Sequence, residues 1–496
     1  MLTACTRPTM SRVVHRRART RISASLALCA LFGATMSSAA CTSASRQTPS
    51  AGLQAGDEAF LDSLQRRTFD YFWETTNPRN GLAPDRWPNP PFASIAALGF
   101  ALTAYPIGAE RGWITRGQAA ERTLTTLRFM HGLPQGPDST GIGGYRGFFY
   151  HFLDMETGLR FGTTELSTID TALLLAGALF CREYFDGHDD REVVIRAYAD
   201  SLVAAPEWQW FVRSPPRVQM AWRPERAFGP ALWAGYNEGM LLYVLALASS
   251  TSPVDPAAWD AWTATYRWGP FYGQEHANFP PMFGHQYSHV WIDFRGIQDQ
   301  YMREHGIDYF ENSRRATIAQ REYAIDNPSG YGDYGSDIWG LTASDGPADT
   351  TIVIDGVSRR FRTYWARGAA MIDIRDDGTI APTAAGGSIP FAPEITIPAL
   401  RAMRERYGDD LYTHHGFLDA FNPTLQDTGV RLRRGRVVAG KGWFDDNYIG
   451  IDQGPILAMI ENHRSGLIWE TMRRSPYIVR GLCRAGFAGG WLEGRC

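Results

Sequence analysis

The sequence predicts an all-α fold, an (α/α)6 barrel or toroid with long loops and a small β-hairpin. Three observations carry this. About twelve segments repeat apolar residues at helical spacing. Several of them are apolar nearly all round, as helices covered on both sides must be. Between them lie long stretches rich in Gly, Pro, Asp and aromatics (134–164, 268–286, 328–379 and 422–450). Structureless loops of that length are uncommon in compact domains and usually functional.

The helices follow in chain order. Asp57–Glu74 opens on acids and spaces Phe60, Leu61, Leu64, Phe69 and Phe72 along one face. Phe92–Glu110, Thr115–Met130, Leu166–Phe185, Arg191–Leu202 and Leu232–Ala248 read the same way, with 172–180 and 241–248 as inner segments. A shorter helix is expected near Ala257–Tyr266. Ser288–Arg303, Tyr309–Ile325, Glu394–Tyr407, Pro455–His463 and Leu467–Arg473 complete the set. Thr351–Val357 and Arg359–Tyr364 form the expected hairpin, turning at Asp355-Gly356. No linker or low-complexity tract interrupts the chain after about residue 55, so 57–496 is expected to be one domain.

The chain has 496 residues, 44% hydrophobic and 20% charged, with a net charge of -3. That composition excludes disorder, a collagen-like fibre and a coiled coil as the dominant state. The first 41 residues carry Arg7, Arg12, Arg16, Arg17, Arg19 and Arg21 and no acid. Taking those six from the 49 basic residues leaves 43 against 52 acidic, a net of -9. So acidic a body is a poor phosphate binder, and no nucleic-acid partner is expected. Lys441 is the single lysine.

Residues 1–41 read as an export signal, with Met10 a plausible start. An arginine-rich stretch precedes the apolar run 23–36 and the small-residue site Ser38-Ala39-Ala40-Cys41. Cys41 is the expected lipidation site, although a serine stands where a lipobox has leucine. Residues 42–56 read as a flexible tether. The expected location is the periplasm, or the outer membrane as a lipoprotein, with a possible N-terminal lipid anchor as the membrane contact and a monomer as the state. Cys181 lies in an apolar helix and reads as a buried thiol. Cys483 and Cys496 are candidates to pair in an oxidising compartment.

Sixteen tryptophans exceed ordinary usage. Half are accepted as core; the rest, Trp339 and Trp443 among them, are candidates for stacking on sugar faces. Glycoside hydrolysis needs one protonated and one ionised carboxyl across the scissile bond. Glu238 is a lone acid in an apolar helix, where burial would raise its pKa as a general acid requires. Asp452 stands at the apolar entry to a helix, with N-capping as the competing role. Asp154, Glu156, Glu165 and Asp170 form another cluster, and Asp345-Gly-Pro reads as turn chemistry. The segment 283–295 is polar amid aromatics. It offers His285, Gln286, His289, Trp291 and Arg295 for sugar hydroxyls or for ordering a cleft. His285 and His289 are four apart, but the third ligand and the glutamate of a zincin motif are missing. No metal and no cofactor are expected.

Several segments in order carry a resemblance. They are Gly147–Asp154, Glu165–Ala172, Tyr236-Asn237-Glu238, Gly284–His289, Trp291–Gly296, Asp376–Ala384 and Gly450–Pro455. Together they resemble the glucoamylase-like domain of bacterial β-1,2-glucanases, glycoside hydrolase family 144, from about residue 60 to residue 491. The resemblance implies an (α/α)6 barrel that hydrolyses linear β-1,2-glucan to sophorose and short oligosaccharides. It implies inversion at the anomeric carbon and no metal. By motif position Glu238 is the general acid. Asp452 leads as general base, with Glu165 and Asp170 behind it, and in relatives the base reaches its water through a substrate hydroxyl. Asp154, Tyr236, Asn237, His285, Gln286, His289, Trp291, Arg295, Trp339 and Trp443 are the expected substrate contacts. The alternatives are a non-catalytic β-glucan-binding surface lipoprotein, or a glycosidase or transglycosylase of the same fold on another β-glucan. The stretches Ile372–Arg375 and Arg431–Arg436 match no family role.

Overall fold

The computed structural model describes residues 55–427 and 429–496. The expected signal, Cys41 and nearly all of the expected tether lie outside the described residues. The described residues fall in one compact unit. They are mostly helical, with short strands confined to the connections.

The helices in order are α1 (Ala55–Thr75), α2 (Ile95–Glu110), α3 (Arg116–Gly132), α4 (Thr168–Tyr184), α5 (Asp190–Ala204), α6 (Gly239–Ala248), α7 (Ala257–Thr263) and α8 (Tyr287–Trp291). Then come α9 (Gln300–His305), α10 (Tyr309–Asp326), α11 (Pro382–Gly386), α12 (Pro393–Tyr407), α13 (Gly450–Arg464), α14 (Leu467–Met472) and α15 (Pro476–Arg484). Their starts are chemically fixed. Ser94 caps α2, Ser167 caps α4, and Thr115 with Gln118 closes a capping box on α3.

Two helix populations result. Every residue of α6 and of α11, and nearly every residue of α2, α4 and α13, is buried. Helices α3, α5 and α10 bury one face and expose the other. Helix α2 packs on α4, α4 on α6, α6 on α8, α11 on α13, and α13 on α2. Gln286, just before α8, donates from Nε2 to the Ala384 carbonyl and Ser388 Oγ beside α11, both at 2.8 Å. Outside them, α1 covers α2 and α13, α5 covers α3 and α4, α12 covers α11, and α15 covers α6. The α2–α4 contact requires glycine on both sides: a Cβ on Gly99 would lie 2.2 Å from the Leu173 carbonyl oxygen, and one on Gly177 2.2 Å from that of Gly99.

Short ladders stitch together the segments that precede the buried helices. Arg86-Trp87 pairs with Tyr448-Ile449 before α13, Ala93-Ser94 with Phe152-Leu153, and Leu166-Ser167 with Ala221-Trp222. The N-terminal ends of α2, α4 and α13 therefore belong to one stitched end.

The hairpin forms as expected, with Thr350–Ile354 against Val357–Phe361 and positive φ at Asp355 and Gly356. Cys483 and Cys496 are disulfide-bonded, and Cys181 is a buried free thiol. Several boundaries differ from expectation. Residues 55–56, assigned to the tether, already belong to α1. Helix α6 starts at Gly239, not Leu232, because Gly235 adopts positive φ and the Asn237 side chain bonds the Gly239 N–H and the Ala234 carbonyl. The expected helix 288–303 is broken: α8 ends at Trp291, and α9 restarts at an Asp299 cap. Helix α13 begins at Gly450 and runs through Pro455.

Arg367 is wholly buried. It forms a bidentate pair with Asp377 (2.7 and 2.9 Å) and donates to the carbonyls of Ser344, Asp345, Arg362 and Thr363. Removing one partner strands the other charge in the core. Arg367→Ala is expected to lower the unfolding free energy by about 3–5 kcal/mol, read by denaturant melts.

Candidate active site

Acids gather where the buried helices begin. Glu238 immediately precedes α6, Asp452 lies in the first turn of α13, Asp170 in the first turn of α4, and Asp85 in the strand-forming segment ahead of α2. The long loops add Asp345, Asp419 and Asp445, all buried. One carboxylate oxygen from each of these three lies within 4.8 Å of the others. Helix N-termini favour negative charge, but so many buried carboxylates need more compensation than that.

Part of it is cationic. Arg86 bonds Asp345 at 2.6 Å and Asp85 at 3.1 Å, and Arg434 approaches Asp345 at 3.3 Å. His151 sits between Glu165 (3.0 Å) and Asp170 (3.7 Å). Burial opposes its charged form, but Asp170, Glu165 and Asp85 outweigh that and push its pKa up to about 9. The rest is protons. Asp419 and Asp452 are neighbouring buried carboxyls that act on each other's titration, and Asp419 Oδ1 and Asp452 Oδ2 are both buried without a partner. Burial pushes both pKa values upward, Asp452 to about 7, so the two neighbouring carboxyls do not both ionise near neutral pH. The Asp419 carboxylate also accepts the Asp345 backbone N–H at 2.7 Å.

Among the described residues, no cation acts on Glu238. Its Oε2 is buried without a partner, and burial, aided by the nearby Asp170 charge, pushes its pKa up to about 7. Its backbone is fixed instead: the carbonyl accepts from Ser288 Oγ at 3.1 Å, and that oxygen accepts the Leu241 N–H. Tyr287 lies within electrostatic reach of both Glu238 and Asp452. Its hydroxyl donates to the Ile451 carbonyl at 3.3 Å. That carbonyl is free because Pro455, four residues on, has no N–H to offer it.

Of the expected acid–base residues, Glu238, Asp452 and Asp170 are thus linked through the same network. Glu165 belongs to it too, but both its oxygens are engaged: Oε1 accepts from His151, and Oε2 lies 2.5 Å from Arg223. His151 leads in holding its pKa down at about 2. It stays ionised and has no oxygen spare for a water.

Most expected substrate contacts lie elsewhere. Asp154 Oδ1 caps its own turn, accepting from Glu156 N and from Thr157 N and Oγ1. Asn237 shapes the turn that presents Glu238. Tyr236, His285, Gln286, His289 and Trp291 are fully or almost fully buried in the core. His285 bonds the Phe279 carbonyl, His289 bonds Ser313, and Trp291 bonds Thr103. Burial holds the pKa of His289 down at about 3, and that of His285 well below the usual range, so both are neutral core histidines. Arg295 follows the C-terminal end of α8, whereas Tyr287 at its start faces the acids. It pairs with Asp293 and covers Trp469. Trp443 is buried beneath the hairpin and donates to the Arg434 carbonyl. Trp339 is buried too, with its indole N–H unpartnered.

The sequence reading missed Asp85, Arg86, His151, Tyr287, Asp419 and Asp445. It took Asp345 for a turn residue, whereas Asp345 is buried and doubly paired. Arg434 gives the basic stretch 431–436 a role. Tyr364 is half exposed, yet Asp452, Asp419, Asp85 and Asp345 all act on its hydroxyl. Phe92 stacks near Phe152 (4.1 Å) and Phe161 (5.0 Å), and His151 stacks on Phe152 at 3.9 Å. These rings supply an apolar platform beside the charged groups.

Fold and site together define a helical protein with a cluster of buried, interacting carboxyls at the ends of its buried helices. The comparisons place it further. Residues 230–476 match the family described as "Putative glucoamylase". A glucoamylase-family crystal structure from Bacteroides uniformis is 32% identical, covering 89% of this chain and 100% of that one, with a TM-score of 0.75. The Chitinophaga pinensis endo-β-1,2-glucanase, solved with sophorotriose and glucose, is 28% identical over 89% of this chain and 100% of that one, with a TM-score of 0.74. A Parabacteroides distasonis exo-β-1,2-glucooligosaccharide sophorohydrolase (non-reducing end) is 30% identical over 465 residues, 86% of this chain. The match spans 57% of that relative's length. The chain belongs to the glucoamylase-like family.

Asp419→Asn presents Asp452 with a neutral neighbour at every pH. Because burial and the Asp452 charge keep Asp419 protonated, the acidic limb of any pH–rate profile that depends on Asp452 should stay in place. A limb moved to lower pH would mean that Asp419 is ionised in the native protein.

Proposed function

We propose that this protein is an exported glycoside hydrolase that cleaves β-1,2-glucan by an inverting mechanism, on an (α/α)6 barrel. The packing of α2 on α4, α4 on α6, α6 on α8, α11 on α13 and α13 on α2, with Gln286 ahead of α8 bonded to α11, supports the barrel. The N-terminal signal pattern supports export to the periplasm, with Cys41 as a candidate lipid anchor. The substrate rests on the relatives named for β-1,2-glucan and its oligosaccharides.

The observation that carries the chemistry is a pair of buried carboxyls, Glu238 and Asp452, each with an unpartnered oxygen and a pKa pushed up to about 7. Glu238 has a buried, unpartnered oxygen and holds its proton near neutrality. It donates that proton to the glycosidic oxygen as the C1–O bond breaks. Water attacks C1 from the opposite face, and Asp452 takes the proton that water loses, directly or through a sugar hydroxyl. In this reading Asp419 holds the proton that the two neighbouring carboxyls cannot both lose, which leaves Asp452 as the base. Tyr364 and the Phe92–Phe152–Phe161 platform offer ring faces for the sugar. Asp170 is the next candidate base. Activity should fall as pH rises through about 7, where Glu238 loses its proton.

Incubation with linear β-1,2-glucan should release sophorose or a ladder of short oligosaccharides, with the new reducing end first appearing as the α-anomer by NMR. Glu238→Gln should reduce turnover by about a thousandfold or more while glucan binding persists. Cleavage of laminarin or cellulose oligomers instead would overturn the substrate. Glucan bound but uncut would favour a binding lipoprotein.

A further inference from the structure

A second cluster lies apart from the acids. Glu74, in the last turn of α1, meets His414 and His415 from the turn of the hairpin 412–417. Both imidazole Nε2 atoms point at one oxygen, Glu74 Oε2, at 2.9 Å and 3.0 Å. The three ligand atoms lie within 4.8 Å of one another. A tetrahedral ion with bonds of about 2.0–2.1 Å spaces its ligand atoms roughly 3.3 Å apart. The two nitrogen–oxygen distances need to open by only a few tenths of an ångström.

The site is held in place from outside. His415 is 4% exposed and wedged edge-on between Tyr71 and Tyr448. Its backbone N–H donates to the Tyr448 hydroxyl at 3.2 Å. Arg67 donates to the Thr413 carbonyl at 2.6 Å, fixing the hairpin on α1. Glu74 and His414 have exposed side chains, so both can adjust, and a fourth position opens to solvent. Two imidazoles and a carboxylate suit a borderline divalent transition ion better than Ca2+ or Mg2+, which take oxygen ligands.

We propose that Glu74, His414 and His415 bind one divalent transition-metal ion, with Zn2+ the best match, as a clamp between the end of α1 and the 412–417 hairpin. An ion there exchanges two N–H···O hydrogen bonds for three coordinate bonds. It joins segments 340 residues apart, beside Tyr71 and Tyr448.

The test uses tag-free protein stripped with EDTA and titrated with Zn2+ by calorimetry. One site should fill with a dissociation constant in the range of about 1–10 µM and raise the melting temperature. His414→Ala, which removes an exposed side chain, should bind one Zn2+ fewer and lose the thermal shift; Glu74→Gln should weaken binding at least about tenfold. No saturable binding below about 100 µM overturns the proposal, as does unchanged stoichiometry in His414→Ala. Circular dichroism of each variant checks that the fold persists.

Discussion

Carboxylate crowding governs this structure. Asp85, Asp345, Asp419, Asp445 and Asp452 are all buried, with Asp170 and Glu238 close by. An uncompensated buried charge costs several kcal/mol, so such a group persists only if each charge is paired or neutralised. The chain uses both means. Arg86 and Arg434 meet Asp345, and His151 stands between Glu165 and Asp170. Burial raises the pKa values of Asp419, Asp445, Asp452 and Glu238, so protons neutralise the rest. Glu165, held by His151 and Arg223, remains ionised, whereas Glu238 and Asp452, each buried with an unpartnered oxygen, keep their protons to higher pH.

The scaffold around the acids uses proline to free polar groups. Pro455 leaves the Ile451 carbonyl for the Tyr287 hydroxyl, beside Asp452. Pro106 similarly leaves the Leu102 carbonyl for the buried Cys181 thiol, at 3.0 Å. Inner helices with no solvent to satisfy a broken backbone bond need such partners. The glycine contact of α2 with α4 works at the same level, bringing two backbones together next to the ends that carry Asp85 and Asp170.

Helical periodicity made most of the fold legible, including the inner segments at 172–180 and 241–248. It failed where side chains broke a helix that hydrophobicity alone would continue. Asn237 and Gly235 delay α6, and that delay puts Glu238 at the helix entrance instead of inside it. Glu238 and Asp452 were legible because a lone acid in apolar sequence must be neutral, paired or capping. His285, Gln286, His289 and Trp291 misled for the converse reason. Polar density reads as a binding surface, but here each polar atom used serves a core hydrogen bond. Asp345 and Asp419 were hidden because their partners come from segments 74 to 259 residues away. The Glu74–His414–His415 cluster was hidden for the same cause, since no local spacing announces it.

The account stands on a neutral Glu238. Its most direct test is the titration of that carboxyl, by infrared difference spectroscopy of protein carrying 13C-labelled glutamate, with Glu238→Gln as the reference. The account predicts a protonated-carboxyl band that persists at pH 6 and disappears around pH 7. Loss of the band near the ordinary glutamate value of about 4.3 would contradict it.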